Sequence, residues 1–189
     1  MRPGSAVVQL PRRTRGRLFG ARIEHPSRTL PFRRHNGSAM SRESVMSLIS
    51  TTALHHLRLT VTDLGRSRAF YEEVLGFEVA AESPGDPSDP AVRNDPAQLY
   101  GGVVFATNGI LFGLRPVADA ADTFVSTRVG LDHVSFAVAS RAELDAAKIA
   151  LQQRGIEHGD VIELAPFGIA ILSFCDPDGV HLELTSPLA

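Results

Sequence analysis

A short alternating segment that contains a histidine occurs twice in the chain, beginning at His56 and at His133. Side chains two positions apart lie on one face of a β-strand, so each histidine shares a face with polar or small residues and the other face is apolar. A third segment, with His181 and Glu183, has the same alternation. Polar outer faces of ordinary strands would explain one such histidine. Three in phase predict strands whose polar faces line a cavity that holds a metal ion.

Helix and strand patterns follow each histidine in the same order. The first copy predicts strands at 53–62, 77–81, 103–107 and 110–115 and a helix at 64–75. The second predicts strands at 132–138, 160–163, 169–174 and 180–185 and a helix that ends near residue 153. We therefore predict an α+β domain over residues 51–189. Its two βαβββ modules, about 52–115 and 130–187, form a curved mixed sheet around one metal-containing cavity. The loop at 82–98 is expected to cover the site.

Residues 1–50 differ sharply from the rest of the chain, because they contain ten arginines and two acidic residues. They show no helix or strand period and predict a disordered tail. A mitochondrial transit segment, a basic arm for nucleic acid, or a misannotated start upstream of Met40 or Met46 are alternatives. We favour a disordered tail without a function, or a misannotated start.

The composition of the remaining body excludes several classes of protein. The body is acidic and has a single lysine, which argues against a folded nucleic-acid-binding domain. No apolar run approaches the roughly 20 residues of a membrane helix. The single cysteine, Cys175, cannot form an internal disulfide. These features predict a cytoplasmic protein without a membrane partner.

Three short strings carry a family resemblance. They are Thr-Val-Thr-Asp-Leu at 60–64, Phe-Tyr-Glu-Glu-Val-Leu-Gly-Phe at 70–77, and Asp-Pro-Asp-Gly at 176–179 with Glu-Leu at 183–184. With the two βαβββ halves, the chain resembles the vicinal oxygen chelate superfamily. That group includes glyoxalase I, extradiol dioxygenases, methylmalonyl-CoA epimerase, fosfomycin-resistance thiol transferases and bleomycin-binding proteins. The resemblance covers about residues 52–187.

The resemblance implies a divalent metal ion, Fe²⁺, Mn²⁺ or Zn²⁺, with His56, His133 and Glu183 as its ligands. The family's fourth ligand position falls on Gly113, which has no side chain to coordinate. A small-molecule substrate with adjacent oxygen atoms would chelate the ion. A homodimer is also expected.

The reaction type stays open among lyase, isomerase and oxygenase chemistry. Glu183 or His181 would serve as the base in a proton transfer, and an oxygenase would use an open metal position instead. Arg58 shares the face of His56 and would hold a carboxylate or phosphate of the substrate, or form a salt bridge within the protein. Tyr100 is interpreted as a surface residue. The alternative function is a metal-free binding protein of the bleomycin-resistance type.

Overall fold

The computed structural model describes residues 48–107 and 109–188. The prediction of an arginine-rich tail or a misannotated start concerns residues 1–50, and it falls almost entirely outside this described part. Within the described residues, no helix combines the length and the apolar character that crossing a membrane requires.

The first module has the predicted order of elements, with one addition between its second and third strands. The loop predicted at 82–98 contains a short helix and part of a 3₁₀ segment, Pro96–Gly101, which sequence periodicity did not indicate. The elements are β1 (His56–Thr60), α1 (Leu64–Leu75), β2 (Glu78–Glu82), α2 (Pro90–Arg93), β3 (Val103–Ala106) and β4 (Leu111–Arg115).

The second module repeats this order without the added helix. A 3₁₀ turn, Ala165–Phe167, precedes its third strand. The elements are β5 (Val134–Ala137), α3 (Arg141–Gln153), β6 (Ile162–Leu164), β7 (Ile169–Cys175) and β8 (His181–Pro187).

Local sequence signals set the ends of the two long helices. The side chain of Asp63 accepts the backbone N–H of Arg66 and caps the start of α1, and Gly76, in the left-handed conformation at φ 68°, ends it. Ser140 caps the start of α3 by accepting the N–H of Glu143. Because these caps satisfy N–H groups that have no partner inside a helix, the helix starts could be predicted from the sequence.

The strands form two separate four-stranded sheets, in the orders β1-β4-β3-β2 and β5-β8-β7-β6. In each sheet the first and last strands of the module run parallel, and the other pairs are antiparallel. Arg58 lies opposite Gly113 in the first sheet, and Ser135 lies opposite Glu183 in the second. The registers therefore make Gly113 and Glu183 equivalent positions of the repeat.

The apolar faces of both sheets pack into one core together with α1 and α3. Phe136 of β5 contacts Phe112 of β4 and Phe77, with ring centroids 6.0 and 5.5 Å apart. Since the sheets meet through their apolar faces, the polar faces with His56 and Glu183 point away from the shared core. The fold class is confirmed, and the two polar faces lie on opposite sides of the core.

Candidate metal and substrate site

The polar face of the first sheet carries two of the predicted site residues, His56 and Arg58. His56 is exposed, and its Nδ1 lies 3.0 Å from Nδ1 of His55, so one ring donates to the other. Arg58 is half-buried and lies over Gly113, where an added Cβ would come within 3.0 Å of Arg58 Nε. The arginine side chain therefore covers the position that is equivalent to Glu183 in the repeat.

A cavity of about 390 Å³ opens on this face. His56, Arg58 and Gly113 lie along one part of it, and the remaining lining is mostly apolar. Its volume is within the range of small-molecule sites. Leu99, which directly follows the predicted loop at 82–98, lines it too. No residue of 82–98 is among its lining residues, so the expectation that this loop covers the site is not met for this cavity.

The second sheet holds Glu183 by two hydroxyl groups. The Oγ of Ser135 and the Oγ1 of Thr185 lie 2.8 and 3.0 Å from Oε1 of Glu183 and donate to it. Oε2 has no hydrogen-bond partner among the described residues, so this oxygen is available to a ligand. Alternation places Ser135 and Thr185 on the polar face, but it does not reveal that they orient Glu183.

His133 lies directly before β5, and a neighbouring carboxylate orients its ring. Oδ1 of Asp132 is within hydrogen-bond distance of His133 Nδ1, which leaves Nε2 of the imidazole free to bind a ligand. A metal-bound histidine is commonly held in this way through its second nitrogen. His181 is exposed on the same face as Glu183, and its ring contacts the edge of Phe124 at 5.7 Å. Sequence reasoning did not identify Asp132 as a partner.

The described residues of a single chain do not bring the three predicted ligands together. Among them, no group of three or more His, Cys, Asp or Glu side chains is arranged to hold a metal ion. The expectation that one chain forms the whole site is therefore not met. His56 lies on one polar face, His133 and Glu183 lie on the other, and the shared core separates the two faces.

The Asp-Pro-Asp-Gly string builds a turn between β7 and β8 that joins the modules. Asp176 is buried and accepts the N–H groups of Asp178 and Val180 and the hydroxyl of Tyr71 in α1. Burial raises the pKa of Asp176, and these hydrogen bonds oppose the rise. Asp178 accepts the backbone N–H of Thr62 at 3.0 Å. The string therefore acts in the fold and not in the polar faces.

The fold and the two polar faces define a class of protein, one built from paired βαβββ modules with histidine and carboxylate side chains on the sheet faces. The chain belongs to the glyoxalase/bleomycin resistance protein/dioxygenase superfamily, whose family profile matches residues 53–184, more than half of the chain. The resemblance to the vicinal oxygen chelate superfamily is thereby confirmed.

Relatives of this chain are found in several bacteria. An uncharacterized Escherichia coli K12 protein, YaeR, is 30% identical over 139 residues, which covers 72% of this chain and 98% of YaeR. The crystal structure of a glyoxylase/bleomycin resistance protein/dioxygenase domain from Frankia sp. EAN1pec is 30% identical, with a TM-score of 0.58, and covers 73% of this chain and 99% of that one.

A lactoylglutathione lyase from Agrobacterium tumefaciens shares the fold at 19% identity and a TM-score of 0.51. The match covers 72% of this chain and 94% of the lyase. At this identity the match shows a shared fold and does not assign the lyase reaction to this chain.

Proposed function

We propose that this protein is a metal-dependent enzyme that acts on a small molecule with vicinal oxygen atoms. The main support is the second polar face, where His133 and Glu183 are each held by hydrogen-bond partners that leave one ligand atom available. With His56 they form a set of two imidazoles and one carboxylate, which suits Fe²⁺, Mn²⁺ or Zn²⁺ and leaves positions for a substrate. When bound, such an ion supplies a Lewis acid for charge that develops on substrate oxygens.

Each site is proposed to form between two chains of a homodimer. The polar faces point away from the core of a single chain, so the face with His56 can meet the face with His133 and Glu183 only from a second copy. Both faces also expose apolar side chains that a second copy could cover. Leu111 is 37% exposed on the first face, and Ile162 is 52% exposed on the second. An arrangement with two-fold symmetry would cover both faces and create two identical sites.

The substrate contacts in this proposal come from both faces. Arg58 binds an acidic group of the substrate beside His56. Glu183 and His181 are the groups that take or return a substrate proton, since they share one face of β8 and His181 is exposed. Lyase and isomerase chemistry both use such a proton transfer, and an oxygenase reaction would not need it. The cytoplasmic location stays a prediction.

Metal analysis tests the ligand set. Wild-type protein loaded anaerobically with Fe²⁺, or with Mn²⁺ or Zn²⁺, should bind one ion per chain. We expect His56→Ala, His133→Ala and Glu183→Gln each to lose that stoichiometric binding, because three ligands are few enough that each is essential. His158→Ala is the matched control, since His158 lies outside both polar faces and its Nδ1 contacts the carbonyl of Gly159.

Three ligand variants that each keep a full equivalent of metal would contradict the ligand set. A wild-type protein that binds no metal but binds a small molecule would instead support the metal-free binding alternative. The loaded enzyme can then be screened with catechols and with hemithioacetals of 2-oxoaldehydes, which separates oxygenase chemistry from proton-transfer chemistry.

A further inference from the structure

Two arginines on the polar face of the first sheet have no acidic partner in the described part of the chain. Arg58 and Arg115 lie on neighbouring strands, where the register places Arg58 opposite Gly113 and Arg115 opposite Thr60. The Nε atoms of both are buried and have no hydrogen-bond partner among the described residues. Buried polar groups are usually hydrogen-bonded in a folded protein, so two neighbouring guanidinium groups that lack an acidic partner are candidates for binding an anion.

An aromatic ring holds these two guanidinium groups in place. The Arg115 Cζ lies 3.9 Å from the centroid of the Tyr100 ring, and the Arg58 Cζ lies 5.4 Å from the same centroid. Both are within the distance at which a guanidinium is attracted to a π face. Tyr100 is half-buried. It was interpreted as a surface residue rather than as part of the pocket rim, and its ring contacts both arginines.

The backbone that carries Tyr100 is strained. Leu99 and Tyr100 have φ angles of 52° and 58°, in the left-handed region that bulky residues rarely adopt. The turn is docked closely on β4, since a Cβ at Gly102 would collide with the carbonyl oxygen of Leu114. Strain of this kind persists where surrounding contacts impose it, and it is found preferentially at binding sites. Here it places one ring against two cations.

The cavity beside Arg58 sets the kind of ligand that would neutralise these charges. Apart from His56 and Arg58, its lining is provided by apolar side chains and glycine: Leu57, Ala80, Ala81, Leu99, Val104, Leu111 and Gly113. A guanidinium in such surroundings attracts an oxyanion more strongly than it would in water, because the local dielectric is low. A carboxylate and a phosphate or phosphonate both match its paired N–H groups.

We propose that Arg58 is the anion-binding residue of this cavity and that Tyr100 and Arg115 are positioning residues for it. The substrate class is then a small molecule that carries a carboxylate, phosphate or phosphonate group next to its metal-chelating oxygens. This inference rests on the proposed function for the placement of the substrate. The anion subsite itself needs only the first module.

The subsite can be tested without a metal or a known substrate. Full-length protein freed of metal by chelation is titrated with inorganic phosphate and, separately, with acetate, by calorimetry or by ³¹P line broadening for the phosphate. We expect Arg58→Met to weaken binding of the anion by about tenfold or more, since it removes the charge-assisted bonds. Arg128→Met is the control, because Arg128 is exposed and lines a different cavity.

The positioning residues have their own pattern of effects. Tyr100→Leu and Arg115→Met should weaken phosphate binding by several fold. Tyr100→Phe should keep wild-type affinity because it keeps the ring. If Tyr100 served only folding, the loss of phosphate affinity in Tyr100→Leu would come with a lower unfolding temperature. We expect the unfolding temperature of Tyr100→Leu to be unchanged. The titration uses metal-free protein, so a failure of the metal proposal leaves this result intact.

Binding of phosphate alone would identify a phosphate or phosphonate group, and binding of acetate as well would identify a carboxylate. The inference is overturned if Arg58→Met binds both anions as the wild type does, or if neither anion binds the wild type. It is also overturned if Arg58→Met converts a dimer to monomers, because the guanidinium would then pair with a carboxylate of a second copy.

Discussion

At the scale of single residues, one glycine accounts for the chemical difference between the two modules. Gly113 and Glu183 are equivalent in the repeat, and Arg58 and Ser135 stand opposite them. In the second module the hydroxyl of Ser135 donates to the carboxylate of Glu183. In the first module the carboxylate is missing, and the arginine lies over the glycine instead. One polar face therefore presents a histidine with a cation, and the other presents a histidine with an anion.

A carboxylate introduced at position 113 should neutralise Arg58. In Gly113→Glu, the new side chain would start about 3 Å from Arg58 Nε, close enough to form an ion pair with the guanidinium. We expect phosphate affinity of the metal-free protein to fall by about tenfold or more, because the anion would compete with a tethered carboxylate. Gly113→Gln is the uncharged control of similar size and should weaken binding less. Equal phosphate affinity in Gly113→Glu and the wild type would contradict the anion role of Arg58.

At the scale of elements, the turn between β7 and β8 connects the two modules through a buried hydrogen bond. Tyr71, at the centre of α1, is fully buried, and its hydroxyl donates to Oδ2 of Asp176 at 2.9 Å. Burial, and then the nearby charge of Asp176, raise the pKa of the Tyr71 phenol well above its usual value. The phenol therefore stays protonated in the folded protein at pH values where an exposed tyrosine ionises.

Replacing Tyr71 should change both the stability and its dependence on pH. Tyr71→Phe removes a hydrogen bond to a buried carboxylate, so we expect the free energy of unfolding at neutral pH to fall by about 1–3 kcal/mol. The stabilisation from the raised pKa is complete below pH 10.0, the ordinary value for the phenol, and is lost as the pH rises above it. The wild type should therefore lose about 1.4 kcal/mol per pH unit above pH 10 through this group.

Urea unfolding at pH 7 to 11 measures this difference between wild type and Tyr71→Phe. The stability gap should be constant up to about pH 10 and narrow above it. Tyr100→Phe is the matched control, since Tyr100 is the second of the two tyrosines in the chain and makes no contact with Asp176. A gap that stays constant to pH 11 would show that Tyr71 does not hold its proton in the folded state.

The elements themselves could be predicted from the sequence because their signals are local. Alternation identified β1, β5 and β8 and the faces of His56 and Glu183, and caps and glycines marked the helix ends. The predicted first strand, 53–62, was longer than the observed His56–Thr60. The conformation of Leu99 and Tyr100 could not be predicted, because neither residue has an intrinsic preference for positive φ. Tertiary packing imposes that conformation.

At the scale of the whole molecule, alternation could not predict which way the modules face each other. It shows only which side chains share a face. Two modules can bury the same apolar faces whether their polar faces converge in one chain or point apart. In this chain the contact between Phe136 and Phe112 brings the apolar faces together. Residue type and phase suggested His56, His133 and Glu183 as ligands. In the proposed site these residues come together only with a second copy of the chain, which local sequence patterns do not encode.

The two-chain site makes a prediction that a single-chain site cannot meet. A heterodimer of one His56→Ala chain and one Glu183→Gln chain, co-expressed with two different tags and purified through both, has one intact site and one doubly damaged site. It should bind about half the metal of the wild-type dimer, although each variant alone binds none.

A heterodimer of His133→Ala and Glu183→Gln chains is the control, because both changes fall on the same polar face and damage each site once. It should bind no metal. Were the three ligands to meet within one chain, the two heterodimers would be equally empty, since every chain would carry a broken site. Equal loss in both, or a wild-type protein that is monomeric at the concentrations used for metal analysis, would reject the two-chain arrangement.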